Sequence, residues 1–486
     1  MIGKILKVIG AAVVILIGVL LFNTLTFKSK QLDITATPAP ELPTKSLERF
    51  QSAIKYKTIS FADLSLFDSA QFNGFHRFLR TAYPLVHQTL TLQKLADYSL
   101  LYKWEGSDAS LAPYVLMAHQ DVVPIEEASR DRWAVDPFEG VLKADTIWGR
   151  GTTDDKVNLI AILEAVEKLL NSGFQPKRTI YLAFGHDEEV GGTGAKAINA
   201  ELKSKNIMAD LVLDEGGIIT RNQVPGMTKP VALIGTSEKG YLSLQLKVEK
   251  NGGHSSMPEK ETALDILAKA IVVLRENPFP ADFTPSTQGF IEHVGPEMPF
   301  FQKMAFANTW LLKGAVLGIY ESKPGGNALV RTTTVPTLFN AGVKDNVIPT
   351  TVTAVVNFRL LPGDNSQYVI DRVKTVINDE RVQVTNLGSF VAEATPVTPE
   401  DGPAFKLIDE VVHKTFANTV TTPFMMIGAT DSRHMTDISK NIIKFSPMTD
   451  PIGFHGINER VSVQSYREAI WFFETLLREQ EGEWRE

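Results

Sequence analysis

The chain of 486 residues contains no cysteine. That excludes disulfides, a thiolate nucleophile and sulfur-ligated metal, while leaving the redox compartment open. Histidine is scarce as well, at nine residues. Any metal must therefore sit on His, Asp and Glu, and each His near acidic residues carries weight. An excess of positive charge is also missing: Lys and Arg number 49 against 56 Asp and Glu, a net charge of −7. A broad nucleic-acid footprint would be basic, so no nucleic-acid partner is expected. No internal repeat is visible. What remains is a globular composition, 44% hydrophobic and 22% charged, at a length that suits two domains better than one.

No charge falls between Lys7 and Lys28, and residues 8–22 are almost wholly Val, Ile, Leu, Ala and Gly. A bilayer-spanning helix needs roughly 20 residues, and Leu25–Phe27 extend the apolar stretch toward that length. Lys4 and Lys7 also fit the positive region of a signal peptide, but no small-x-small cleavage site follows Phe22, so the segment reads as an uncleaved single-pass membrane anchor. Lys4, Lys7 and the terminal amine lie on one side, Lys28 and Lys30 on the other. The positive-inside rule then leans toward an extracytoplasmic catalytic part. Residues 31–44 hold three prolines and little apolar surface, the composition of a semi-extended tether. The anchor and tether together make up residues 1–44.

Beyond about residue 85, strand-like and helix-like segments alternate. Residues 114–118, 179–184, 211–213 and 442–445 are short apolar runs of strand length. Residues 157–170, 405–416 and 463–478 have helical spacing, the first ending near Gly173. Such interleaving implies an α/β layer with a mixed, largely parallel sheet flanked by helices, whose polar groups gather at the carboxyl ends of strands. The middle differs. Residues 241–249 alternate as a half-exposed strand does, followed by helical 262–274, strand-like 352–360 and helical 368–377. This predicts a small α+β domain at residues 239–392, inserted between catalytic parts at 45–238 and 393–486. The Pro-, Phe- and Met-rich residues 277–326 fit neither pattern.

Five segments carry chemistry. In MAHQD (117–121), residues two apart point the same way on extended chain, so His119 and Asp121 face one site; alone, a hydrogen-bonded loop pair explains them equally well. WGRGTTDDK (148–156) places Asp154 and Asp155 at a helix start, where they would also complement the helix dipole. GHDEEVGG (185–192) sets three acids in a row after a strand, and repulsion would raise their pKa values unless a cation sits among them. LDEGG (213–217) and FHGINE (454–459) complete the set. Oxygen and imidazole ligands suit Zn²⁺, with Mn²⁺ or Co²⁺ as substitutes. Two such ions roughly 3.5–4 Å apart, sharing one carboxylate, can clamp an attacking hydroxide.

With GGHSSMP (252–258) and GATDSRH (428–434), these motifs resemble the di-zinc aminoacylase, glutamate carboxypeptidase and succinyl-diaminopimelate desuccinylase group. Within that group the chain looks most like carboxypeptidase S and the enzymes that make and cleave N-fatty-acyl amino acids. The resemblance spans residues 45–480. It implies a zinc-peptidase-like catalytic domain with an inserted lid or dimerisation domain, and hence a homodimer through the lid. It further implies His119 and Asp214 as ligands of one zinc, Glu189 and His455 of the other, and Asp154 as the bridge, often with a cis peptide to Asp155. Glu215 competes with Asp214, whose place after the strand favours it. Glu188 matches the general base, Asp121 the support of His119, and His254 a residue that holds the carbonyl oxygen and comes from the partner subunit in dimeric relatives; a plain turn histidine is the alternative. Arg433 and Arg359 are candidates for the substrate carboxylate or for structural ion pairs. The expected activity is hydrolysis of the amide bond beside a C-terminal amino acid, in a small peptide or an N-acyl amino acid. A dipeptidase or aminoacylase, or a non-catalytic peptide receptor on the same scaffold, is the alternative. Phe300, Phe301, Met304, Phe306 and Trp310 would line an acyl pocket or be ordinary core.

Overall fold

The computed structural model describes residues 1–388 and 391–479. Its main layer is an eight-stranded sheet in the order Thr91–Leu95, Ser99–Trp104, Ile180–Gly185, Tyr114–His119, Leu211–Thr220, Ile442–Thr449, Val231–Glu238, Val420–Met426. The centre is parallel: Tyr114–His119 pairs in parallel with strands on both sides, and Ile442–Thr449 runs parallel to Leu211–Thr220. Ser99–Trp104 joins antiparallel. Strands covered on both faces read as continuous apolar runs, and both Tyr114–His119 and Ile180–Gly185 are buried throughout.

Alternate side chains feed two cores. Tyr114, Leu116, Leu182 and Phe184 point to helices Lys156–Asn171 and Val463–Arg478. Val115, Met117, Tyr181 and Ala183 point to helix Thr193–Ser204. Further helices, Thr44–Ile54 and Ser69–Ala82, cover the first face.

A second, wholly antiparallel sheet has the order Thr333–Ala341, Thr351–Leu360, Gly240–Glu249, Val382–Asn386. The alternation of Gly240–Glu249 is realised: Leu242, Leu244, Leu246 and Val248 point inward to helices Ala263–Glu276 and Ser366–Ile377, in a core of their own. Thr262 and Asp265 form a capping box that starts the first of these helices.

Residues 277–326 do not extend this small sheet. They lie in helices Pro285–Val294, Phe300–Ala307, Thr309–Glu321 and Pro324–Val330. The first packs on the edge strand Val420–Met426 of the large sheet. The next contacts the N-terminal helix Ile2–Thr26, whose apolar window is unburied and long enough to cross a membrane. By length and composition a signal sequence passes the same test. The proline-rich stretch after it is docked along the body: Gln31 exchanges hydrogen bonds with Thr421, and Thr37 bonds to Lys414 and Trp471.

Candidate metal and active site

Two parallel strands end side by side, with His119 registered against Gly185. This sets the MAHQD and GHDEEVGG loops next to each other at the carboxyl edge. His119 is buried, and its Nδ1 lies 3.0 Å from the Asp121 carbonyl and 3.3 Å from Asp121 Oδ1. Its Nε2 faces Asp154 Oδ1 at 2.9 Å and Glu215 Oε1 at 3.3 Å. The second oxygen of Asp154 lies 3.0 Å from His455 Nε2, which is also 3.0 Å from Glu189 Oε2. Asp154 thus stands between two histidines, one oxygen to each. The Asp154–Asp155 peptide bond is cis, the form that the resemblance implies.

Asp121 is fully buried behind this cluster. Its carboxylate accepts from Ser60 Oγ at 2.6 Å and from the backbone amides of Glu188 and Glu189 at 3.2 Å each. One side chain therefore fixes both the His119 ring and the turn bearing two glutamates. The third acid of that run, Asp187, points away from the histidines and accepts from the amides of Thr193 and Gly194 at the start of a helix.

The two acids of LDEGG face different partners. Asp214 accepts from its neighbour's amide at 2.9 Å and from Ser432 N at 2.7 Å. Glu215 faces His119. The cause is an irregularity in the ladder: Lys444 pairs with Asp214 but Phe445 pairs with Gly217. Glu215 and Gly216 are the extra residues, and such a bulge re-aims side chains. Gly216 has φ +145°, and a Cβ there would meet Lys444 Cβ at 2.9 Å, so the position favours glycine.

FHGINE is tied to WGRGTTDDK by a buried pair, Arg150 Nη1 to Glu459 Oε2 at 2.5 Å. Glu459 Oε1 also accepts from the amides of Gly151 and Thr153 at 3.0 and 2.8 Å. Glu459 thereby shapes the loop that presents Asp154, while its own loop presents His455.

The electrostatics are those of a cation site. Burial, reinforced by neighbouring carboxylates, raises the pKa of Glu188 and Asp155 well above the usual range and that of Glu215 to about 8. Glu189 is raised mainly by burial, and its Oε1 is buried without a hydrogen-bond partner. Burial lowers the pKa of His119, but Glu215, Asp121 and Asp154 outweigh it and push it well above the usual value. Acids packed this closely without cations resist ionisation. The ligand atoms of His119, Asp154 and Glu189 lie within 4.8 Å of one another, as do those of His119, Asp155 and Glu215. The donor set, imidazole plus carboxylate with an unpartnered oxygen, fits a hard or borderline divalent metal.

Residues 115–479 match the profile of Peptidase family M20/M25/M40. The chain belongs to this family. It is 40% identical to the probable carboxypeptidase S-like 2 of Dictyostelium discoideum, over 96% of this chain and 93% of that one. It is 39% identical to the human N-fatty-acyl-amino acid synthase/hydrolase PM20D1, over 88% of this chain and 86% of its relative. The fold is shared with the M20 metallo-carboxypeptidase Sso-CP2 from Sulfolobus solfataricus, with a TM-score of 0.67 at 18% identity, covering 89% of this chain and 98% of that chain. This M20 member is accordingly a metallo-hydrolase that cleaves amide bonds.

The remaining candidates lie around the cluster in this M20 member. Arg433 Nη1 is 3.9 Å from Glu188 Oε1. Arg359 stacks over Tyr241 at 4.7 Å; burial holds its pKa below the usual value, and the positive charge of Arg433 acts in the same direction. Among the described residues His254 makes no hydrogen bond or ion pair with the cluster. It is exposed, with Nδ1 2.8 Å from Ser256 Oγ. Phe300, Phe301 and Trp310 are exposed, on helices beside the N-terminal one, while Phe306 packs against a small core with Val294 and Met298. Ser60, Glu459 and Asp431 did not emerge from the sequence as site residues. Asp431 is buried against Gly185 and Gly192 and adds to the charge around Glu188. Glu459 had a signal, an acid inside a motif; Ser60, in a loop far from Asp121 in sequence, had none.

Proposed function

We propose that this chain is a membrane-anchored, di-zinc hydrolase that cuts the amide bond joining an acyl group or peptide to an amino acid with a free carboxylate. The observation that carries the substrate class is the pair Arg433 and Arg359. Arg433, beside Glu188, and Arg359 are close enough to repel each other, and two such guanidiniums match a carboxylate lying between them. The names of the relatives, carboxypeptidase S-like and N-fatty-acyl-amino acid hydrolase, agree with either a small peptide or an N-acyl amino acid as substrate.

Asp154 would bridge two ions, with Glu189 and His455 on one and His119 on the other. Glu215, facing His119, supports its reading as the last ligand in place of Asp214, whose carboxylate is engaged by backbone amides. Metal held there would polarise the scissile carbonyl and acidify the attacking water. Asp121 orients His119 and holds the Glu188–Glu189 turn. Glu188, raised in pKa by burial and by Asp431, accepts the proton of the attacking water and passes it to the leaving nitrogen. The exposed His254 suits an oxyanion donor supplied to a partner subunit. The edge strand Thr333–Ala341, with Leu338 and Phe339 exposed, suits a homodimer interface. The first helix serves as the anchor, with the catalytic part outside the cytoplasm.

A hydrolysis screen tests this. N-acyl amino acids and blocked dipeptides should be cleaved, their C-terminal amides should not, and a chelator should abolish turnover. Equal cleavage of the amides would remove the carboxylate reading. Metal content should be about two ions per chain.

A further inference from the structure

Helices Phe300–Ala307 and Thr309–Glu321 expose Phe300 (46%), Phe301 (76%), Trp310 (59%), Leu311 (45%) and Ile319 (67%). On the second helix the exposed apolar positions recur as 310/311, 314/315 and 318/319, one continuous face by the four-residue spacing. Between residues 300 and 320 the only charges are Lys303 and Lys313; Lys313 pairs with Asp282 at 2.5 Å, and Glu321 ends the second helix. An exposed apolar face with so few charges, set beside an apolar helix long enough to span, suits helices that lie in a bilayer interface.

These helices are locked to the N-terminal helix. Asn308 is fully buried between them. Its Nδ2 donates to the carbonyls of Leu20 at 3.2 Å and Met304 at 2.8 Å. Its Oδ1 accepts from Asn23 Nδ2 at 2.9 Å and Trp310 Nε1 at 3.2 Å. Just beyond, the Phe27 ring lies against Gly295, where a Cβ would stand 2.6 Å from it. At 1.5 Å per residue, Leu20 lies about 10 Å back along the helix from Phe27. Interfacial helices sink roughly 5–10 Å into the headgroup–acyl boundary. The geometry therefore fixes the depth of the exposed face relative to the span.

We propose that helices Phe300–Ala307 and Thr309–Glu321 form a second membrane contact, their exposed face inserted into the leaflet from which the first helix emerges. Trp310 then sits at the level where amphipathic rings concentrate. The body is held on the bilayer in one orientation instead of swinging on a linker, in keeping with the docking of Gln31 and Thr37 along its surface. The proposal rests on the anchor reading of the first helix.

The lack of native cysteine allows a direct test in the full chain. Single variants Leu311→Cys and Ile319→Cys, labelled with a polarity-sensitive fluorophore, are placed in phosphatidylcholine vesicles containing nitroxide-labelled lipid. Val14→Cys in the first helix and Leu64→Cys, an exposed site (80%), serve as references. Positions 311 and 319 should show blue-shifted emission quenched by the nitroxide, as position 14 does, while position 64 shows neither. Quenching at 14 with water-like emission at 311 and 319 overturns the second contact and leaves the anchor standing. Absence of quenching at 14 as well removes both. Blue-shifted but unquenched emission at 311 and 319 assigns the face to a second copy of the chain and overturns the proposal.

Discussion

His119 and His254 both sit at the end of a β-ladder, yet the two ladders leave them in opposite states. His119 closes a buried parallel strand, and both ring nitrogens face carboxylates. His254 ends a two-residue ladder with Val347 and Ile348 on an arm where residues 251–260 are all exposed. The large sheet, covered on both faces, fixes ligands by packing and needs no other chain to do so. The two-residue ladder, separate from the small sheet, presents its histidine to open space. Within one chain the buried histidine–carboxylate cluster is brought together, while His254 lies away from it on the exposed arm.

The contrast breaks first at the buried charge that joins the two halves of the metal cluster. Arg150→Met should cost about 3–5 kcal/mol, because removing one partner leaves the Glu459 carboxylate buried and without its cation. A lowered unfolding midpoint of the purified chain is the readout. An unchanged midpoint would mean that the Gly151 and Thr153 amides satisfy Glu459 alone.

The exposed arm that carries His254 should behave in the opposite way. His254→Ala should leave the unfolding midpoint unchanged, since the side chain packs against nothing beyond Ser256. It should lower kcat by about 10²–10³, the loss typical of one oxyanion donor. If the histidine acts across a dimer, mixing His254→Ala with Glu188→Gln subunits restores activity, because one site of each mixed dimer then has both groups. Failure to restore activity with mixed dimers demonstrably formed would place His254 in its own chain's site.

The same contrast explains what the sequence made readable. His119, Asp154, Glu189 and His455 were legible through short motifs of imidazole and acid, and for His119 and Glu189 because each follows a strand of a parallel sheet, where such strands end at the site. The small sheet was legible through the alternation of residues 241–249. Choosing between Asp214 and Glu215 was a different matter. Position after a strand favours the first acid, but the bulge at Glu215–Gly216 turns the second toward His119, and a bulge arises from pairing with Ile442–Thr449, far away in sequence. Residues 277–326 were opaque because their apolar residues are divided between a core and an exposed face beside the first helix. That mixture matches neither an amphipathic soluble helix nor a span.

The smallest effect separates those two acids. Without metal, His455 has its pKa raised to about 10 by hydrogen bonds to Asp154 and Glu189, and Glu215 is raised to about 8 by burial and then by the charge of Asp154. Both therefore carry protons at pH 7. A metal ligand must be deprotonated, so zinc loading at pH 7 should release protons, fewer as pH rises through 8 and fewer again through 10. Apparent affinity should climb over the same window, since less deprotonation is then required. Calorimetric titration in two buffers of different ionisation enthalpy measures the release. Glu215→Gln should lower both the release and the zinc content, whereas Asp214→Asn should leave the release unchanged while loosening the Ser432 loop. The reverse pattern would return the ligand role to Asp214 and mean that the bulge reorganises when metal binds.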